Sequence, residues 1–555
     1  MRKFNRLLYI LVLLKLVLPF LIQSGAYEPH RDEFLYLAEA RHMAWGYMEV
    51  PPLLSVFAWL TNAFGGGLFW IKFWPSLFGA LTYLVVGRLI LSLGGKWFAL
   101  VLGFLPFIFG AYLRVNYLFQ PNSLDIFFWT LMAYGLVRYV QSERPGWLYL
   151  AGIAMGLGMM SKYSMLFFAV SLAGGLLLTR QRRILSNRHF WLAIGVGLLL
   201  FLPNLLWQWR HGFPIVYHMN ELQRTQLQYV SPAAFLSDQL LMNLPYLFVW
   251  LSGLYAVSFT GAGKPYRFIG WAFVIVIILL TVTHGKGYYA LGAYPILFAF
   301  GAAGLERWTA MDPDRRAGRQ GSKGSKGWPA MFTGRLLLRR IMLIVPLLLG
   351  RIFVTIALPF LPPPQLAAYY ARTSIARSSG ALHWEDLRDH PLPQDFADML
   401  SWKEMTAKVA KAYDTLDSAE KSRTLLFCDN YGQAGAVNYY GPQYHLPPAY
   451  SDNASFLYWM PEDFYNYDIF LLVTDDRKEM QHAFIHEFAS AELVDSITNP
   501  YAREYGSLII LLKGPSPVFR AAFREKIDKD KFKTTAGGTA VKVRPNPLEE
   551  GGSLH

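Results

Sequence analysis

Charge is scarce in this chain of 555 residues: Asp, Glu, Lys and Arg together make up 16%, against about 25% in a soluble domain. An ordinary soluble globule is excluded for most of the length. Negative charge is scarcer than positive, 38 acids against 52 bases, for a net charge of +14. In a soluble protein that excess would point to nucleic acid. Here it sits in short loops between apolar runs, where the preference of cytoplasmic loops for Lys and Arg accounts for it, so no nucleic-acid partner is expected. Cysteine is nearly absent. Cys428 stands alone, which rules out an intrachain disulfide and leaves the compartment open. The apolar runs lack the strict alternation of barrel strands. No H-E-x-x-H and no His/Cys cluster marks a metal site, and no G-x-G-x-x-G opens a dinucleotide fold. No cofactor and no required metal are expected.

What the chain has is long hydrophobic runs. Hydrophobic residues make up 54%, and stretches of about 20 recur from Leu7 to Leu361, the length that spans a bilayer as a helix. Eleven transmembrane helices are expected, at 7–24, 68–92, 97–113, 122–140, 147–161, 163–179, 189–208, 236–258, 268–283, 289–305 and 341–361. The start, MRKFNRLLYILVLLKLVLPFLIQSGA, has the form of a signal peptide, but a retained first helix is favoured because the apolar run is long for one. With the N-terminus inside, the basic clusters fall on one side. They are Arg2, Lys3 and Arg6; Arg88 and Lys96; Arg144; the run at 180–183 with Arg188; Lys264 and Arg267; and the loop 306–340. This is the arrangement favoured by anionic lipid and the membrane potential.

The expected domains are a transmembrane part at 1–361, an outer α/β domain at 362–515, and a disordered basic tail at 516–555. Two outer loops are long, 25–67 and 209–235. In the first, Phe34, Ala38 and Trp45 share a helical face suited to lying at the membrane interface. In the outer domain, TLLFC, YDIFLLVT and SLIILL read as strands, and AKVAKAYDTL and KEMQHAFIHEF as helices. DNYGQAG at 429–435 reads as a turn between strand and helix.

The polar residues of the membrane part gather where helices reach the outer surface. Asp32 and Glu33 follow the first helix, Arg114 ends the third, Asp125 opens the fourth, Lys162 lies between the fifth and sixth, and His284 and Lys286 between the ninth and tenth. Ionisable groups near lipid cost a few kcal/mol unless they line a wet cavity or have partners, so a shared level suggests a common cavity. Each residue also has a plainer reading. Asp32 and Glu33 can simply open a helix. Asn122 and Asp125 have the spacing of a capping box. Lys162 and Lys286 can snorkel, and Tyr288, Tyr289 and Tyr294 can form an aromatic belt. Lys15 and Arg351 fall within helices, with no role assigned.

At these residues a family resemblance emerges. HRDEFLYLAEARHMAWGYMEVPPLLSVFAWL resembles the first outer loop of the GT-C polyprenyl-phosphate-sugar transferases, a group that includes protein O-mannosyltransferase-like and lipid A aminoarabinose transferase-like bacterial enzymes. YLFQPNSLDIFFWTLMAYGL, GLGMMSKYSMLFF and HGKGYYALGAYPILFAFGAAGLERW agree in order and spacing, and DNYGQAGAVNYYGPQYHLPPAYS resembles the end of bacterial members. The resemblance implies a GT-C type polytopic α-helical membrane protein with a C-terminal α/β extracytoplasmic domain. It implies an inverting transferase of the bacterial inner membrane. The donor would be a polyprenyl-phosphate-linked sugar, and the acceptor a hydroxyl on lipid, glycan or protein. Asp32 becomes the candidate catalytic carboxylate, with Glu33 beside it. Lys162, Lys286 and Arg114 become candidate phosphate ligands, and Asp125, His42, His284 and Tyr288 further site candidates. Val50 stands where the aminoarabinose transferases often carry a lysine before Pro51, Pro52 and Leu53, which puts a donor like theirs in doubt. The competing reading is a transporter of a lipid-linked sugar, which would place its polar residues nearer the midplane, with repeats.

Overall fold

The computed structural model describes residues 2–310 and 328–535. Residues 311–327 of the basic loop 306–340 and the end of the tail therefore lie outside the described residues. The chain divides into two compact units. One gathers residues 1–23, 72–202 and 226–358; the other gathers 24–71, 203–225 and 359–555.

The first unit is helical throughout. Each of the eleven expected spans carries helix. Among the described residues, six helices are at least 18 residues long and apolar enough to cross a membrane. A seventh span results if Pro232–Leu241 and Leu244–Phe259, bent by 62°, are joined. Of the other expected spans, Pro121–Ser142 has 22 residues but is less apolar, and Trp97–Ile108, Gly146–Met159 and Met165–Leu177 are shorter. Trp97–Ile108 stops at Phe109, and a separate turn of helix, Ala111–Val115, follows. Lys15 serves that break. Its Nζ donates to the carbonyl of Phe107 at 2.7 Å and to that of Tyr112 at 3.3 Å, one on each side of the break. Arg351 is exposed on Trp328–Ala357.

Helix packing here relies on small residues, as expected where lipid is as apolar as the interface. A Cβ at Gly253 would collide with the carbonyl of Leu297, and one at Gly301 with that of Val249. Leu247–Phe259 and Tyr294–Thr309 can thus touch backbone to backbone. Tyr294, expected in an aromatic belt, lies in this core instead and donates to Gln239 Oε1 at 3.0 Å.

The second unit holds a five-stranded sheet, in the order β2-β1-β3-β5-β4. The strands are β1 Thr424–Cys428, β2 Ala449–Tyr450, β3 Ile469–Thr474, β4 Phe488–Ser496 and β5 Leu508–Pro515. β1 pairs parallel with β2 and β3, and β5 runs antiparallel between β3 and β4. β1 and β3 are buried on both faces, which is why they read as continuous apolar runs. β4 escaped the sequence reading because its sequence, FASAELVDS, exposes one edge and is weakly apolar. KEMQHAFIHEF is not a helix: it forms two 3-10 turns and enters β4. Pro517–Thr535, in the stretch expected to be a disordered tail, is helical and buries Phe523 and Ile527.

The first outer loop belongs to this unit. Phe34 is not at a membrane interface. It is fully buried, with its ring 5.4 Å from Trp402, 5.7 Å from Tyr439 and 6.0 Å from Tyr440. Trp45 lies beyond the end of the Arg31–Glu39 helix and is exposed. Periodicity marked an amphipathic face correctly but could not say whether protein or lipid covers it.

Candidate functional site

In the helical unit, Pro121–Ser142 begins at Gln120, whose side chain makes no cap. Asn122 and Asp125 therefore do not form the capping box their spacing allows. Both turn to the loop between Gly146–Met159 and Met165–Leu177. Lys162 Nζ donates to Asn122 Oδ1 at 2.6 Å, and Ser164 Oγ donates to Asp125 Oδ2 at 2.7 Å. The ammonium of Lys162 stands 4.4 Å from the centre of the Tyr289 ring and 5.5 Å from that of Tyr288, where ring faces attract a cation. Asp125 and Lys286 are its charged neighbours.

A built turn presents Lys286. His284 takes a left-handed backbone (φ 55°), and its Nδ1 lies 2.8 Å from the carbonyl of Val230. Gln239 Nε2 donates to the carbonyl of Gly287 at 3.1 Å. Lys286 Nζ reaches Gln226 Oε1 at 2.5 Å. Asp125, Lys162, Lys286 and Tyr288 thus belong to one neighbourhood, while His284 shapes its backbone. Arg114 closes the Ala111–Val115 turn in the same unit.

Asp32 and Glu33 lie in the second unit, in the first turn of Arg31–Glu39. Glu33 completes a capping box: its Oε2 accepts from the backbone of His30 at 2.8 Å. Asp32 is oriented differently. Its Oδ1 accepts from the Tyr431 hydroxyl at 2.7 Å. Burial would raise its pKa, but His30, the Tyr431 hydrogen bond, Arg31 and Arg503 outweigh burial and hold it below the usual carboxylate range. Tyr431 begins the helix Tyr431–Tyr440, immediately after β1. Asn430 caps this helix through Oδ1, which accepts from Gly432 and Gln433.

His42 stacks on Trp459 at 4.3 Å. Beyond it, Glu39 is fully buried, and its Oε2 accepts from Ser55 at 2.8 Å. Glu49 Oε2 accepts from Ser455 at 2.6 Å. The second oxygen of each carboxylate is buried without a hydrogen-bond partner. Burial and Glu49 push the Glu39 carboxyl well above its usual value, and Glu49 is also a charged neighbour of His218. Such a group can share a proton or a cation.

Among the described residues, two sets bring metal-type donors within 4.8 Å of one another: His30, Asp395 and Asp398; and Asp476, Glu479 and His482. The first is already occupied by protein contacts. His30 Nδ1 accepts from the backbone N–H of Asp32 at 3.1 Å, and Arg503 lies 3.5 Å from Asp398.

Residues 49–207 match the family described as dolichyl-phosphate-mannose-protein mannosyltransferase. The chain is 25% identical over 207 residues to a lipid A galacturonosyltransferase of Rhizobium johnstonii; the match takes in 34% of this chain and 41% of that protein. The fold matches the crystal structure of ArnT from Cupriavidus metallidurans bound to undecaprenyl phosphate. The TM-score is 0.55 at 13% identity, covering 92% of this chain and 97% of that one. The apo form of the same protein matches with a TM-score of 0.55 at 12% identity and the same coverage. Together these matches support a GT-C glycosyltransferase family for the chain. The several apolar spans and the small C-terminal sheet are those the sequence implied.

Sequence reasoning missed several residues of these two neighbourhoods. Asn122 was read only as a cap, and Tyr289 only as a belt residue. Ser164, Gln226 and Tyr431 were not singled out. The one available signal was the position of Tyr431 within DNYGQAG, at the end of a buried strand where α/β sheets place functional side chains.

Proposed function

We propose that this GT-C chain transfers a sugar from a polyprenyl-phosphate carrier to a hydroxyl acceptor at the outer face of a bacterial inner membrane. The observation that carries this reading is Lys162. An ammonium held by an amide oxygen and two tyrosine rings is a ready ligand for a lipid phosphate, in a fold that in ArnT binds undecaprenyl phosphate.

In the proposed reaction the acceptor oxygen attacks the anomeric carbon from the face opposite the carrier. A new C–O bond forms as the bond from the anomeric carbon to the phosphate oxygen breaks, and the configuration inverts. The phosphate leaves with the electron pair. Lys162, Lys286 and Arg114 would meet the charge developing on it. Asp32, held ionised, would take the acceptor proton as general base. Glu33 stays with the helix cap, and Asp125 would assist through Ser164 and the field at Lys162. The sugar is a hexose or pentose, and the acceptor a glycolipid, polysaccharide or protein.

The test is direct. Purified full-length protein in detergent, given a lipid extract of its host, should form a product with a new glycosidic bond. A transporter would form none, since detergent leaves no two sides. Mass spectrometry of glycolipids and glycoproteins from cells with and without the gene would then name the acceptor class.

A further inference from the structure

We infer that Tyr431 is a positioning residue for the Asp32 carboxylate, and that the first helix of the C-terminal sheet is built to deliver it. The inference rests on the reading of Asp32 as general base. Its geometric basis lies wholly within the second unit.

Three features fix the phenol. Only Asp429 and Asn430 separate Tyr431 from the end of β1, and the Asn430 cap sets the first helical turn, so its backbone has little freedom. The guanidinium of Arg31 lies over its ring, 4.9 Å from the centre. The helix itself lies tight against Arg31–Glu39 because two glycines admit it. A Cβ at Gly432 would collide with the Arg31 side chain. One at Gly435 would stand 2.7 Å from Phe34 Cβ and 3.0 Å from its backbone. The glycines of DNYGQAG thus serve helix–helix approach, and the residue they bring forward is the tyrosine whose hydroxyl meets Asp32 Oδ1 at 2.7 Å.

A phenol suits this task. It donates one directed hydrogen bond to the ionised carboxylate without adding a positive charge that would lower its basicity further. It also fixes the plane of the carboxylate, which a general base requires. The groups facing Asp32 are His30, Arg31 and Tyr36 from its own segment, Tyr431 from the sheet helix, and Arg503 from the loop before β5, with Asp398 and Glu504 close behind. Of these, Tyr431 makes the side-chain hydrogen bond to Asp32 Oδ1.

The experiment uses the full-length protein in detergent, with host lipid extract supplying donor and acceptor over a dilution series. Tyr431→Phe keeps the ring beneath Arg31 and removes only the hydroxyl. It should lower kcat about tenfold, the size expected for a lost hydrogen bond to a charged group, with the apparent KM within about twofold. The acid limb of the kcat–pH profile should move upward, because the carboxylate loses a bond to its charged form. Should Tyr431→Phe fail to accumulate, 3-fluorotyrosine at position 431 preserves shape and strengthens the donor, and the limb should then move downward. An active wild type with neither limb moved would overturn the inference alone. A wild type that forms no product would overturn the transferase reading and the inference with it. A merely structural latch would change the melting temperature and leave the limb in place, and that result too would overturn it.

Discussion

Lys162, in the loop between Gly146–Met159 and Met165–Leu177, meets Asn122 in the first turn of Pro121–Ser142, ammonium to amide oxygen at 2.6 Å. An amide oxygen orients the ammonium without neutralising it. Asn122→Asp should therefore be informative. It is nearly isosteric but offers a full counter-charge, so a lipid phosphate would have to compete for Lys162. The apparent affinity for the lipid-linked donor should fall about tenfold or more, with insertion into the membrane unchanged. Lys162→Met should cost roughly tenfold to more than a hundredfold in transfer rate. Wild-type rates from both variants would leave the lysine a snorkelling one.

Asp32→Asn separates binding from chemistry. The amide can still accept from Tyr431 but cannot serve as a base at neutral pH. Donor binding, measured by retention of radiolabelled lipid on immobilised protein, should persist. Transfer should drop by about a hundredfold to ten-thousandfold. Glu33→Gln is the companion: its carboxylate caps the helix through His30, so it should cost mainly stability, about 1 kcal/mol. If Asp32→Asn transfers normally, Asp125 becomes the carboxylate to test.

The orientation can be read by thiol labelling, because the native Cys428 is buried. Arg182→Cys and Lys411→Cys place thiols at exposed positions in different units. In intact spheroplasts an impermeant reagent should label position 411 and spare position 182. The reverse pattern would move the proposed chemistry to the inner face.

Asp429, at the end of β1, offers a pH test of the C-terminal sheet. Burial, together with Glu479, Asp475 and Asp452, outweighs its hydrogen bond with Thr474 and raises its pKa from 3.8 to about 7. A carboxyl with a raised folded pKa holds its proton longer when folded than when unfolded, so it penalises folding progressively as pH climbs from about 4 to about 7. Asp429→Asn should remove the penalty. The variant's melting temperature should exceed that of the wild type at pH 8, by a few degrees at most given partial solvent access. The difference should close near pH 4. A gap that does not change with pH would mean that Asp429 titrates normally.

Gly435→Val tests the helix approach that carries Tyr431. The added branches have no room beside Phe34, so the variant should lose about 1–3 kcal/mol of stability in the second unit. Limited proteolysis after a mild temperature step would detect it. A variant as resistant as the wild type would show that the two helices have slack.

The sequence alone determined the helical positions, because a run of about 20 apolar residues has few options in lipid. It determined the strands β1, β3 and β5, because strands buried on both faces are apolar without interruption. It also placed Asp32, Lys162 and Lys286 in view, since an ionisable group beside an apolar run has to be explained. Tertiary structure decided the partners. Spacing could not distinguish Asn122 as a cap from Asn122 as the acceptor for Lys162, because both uses need the same amide at the same helical turn. Periodicity could not say that Phe34 faces Trp402 and not lipid, since either environment takes the same apolar face. Nor could any local pattern pair Asp32 with Tyr431, 399 residues later in the chain. That hydrogen bond exists only because two glycines let one helix rest against another, and the need for close approach is written in the fold.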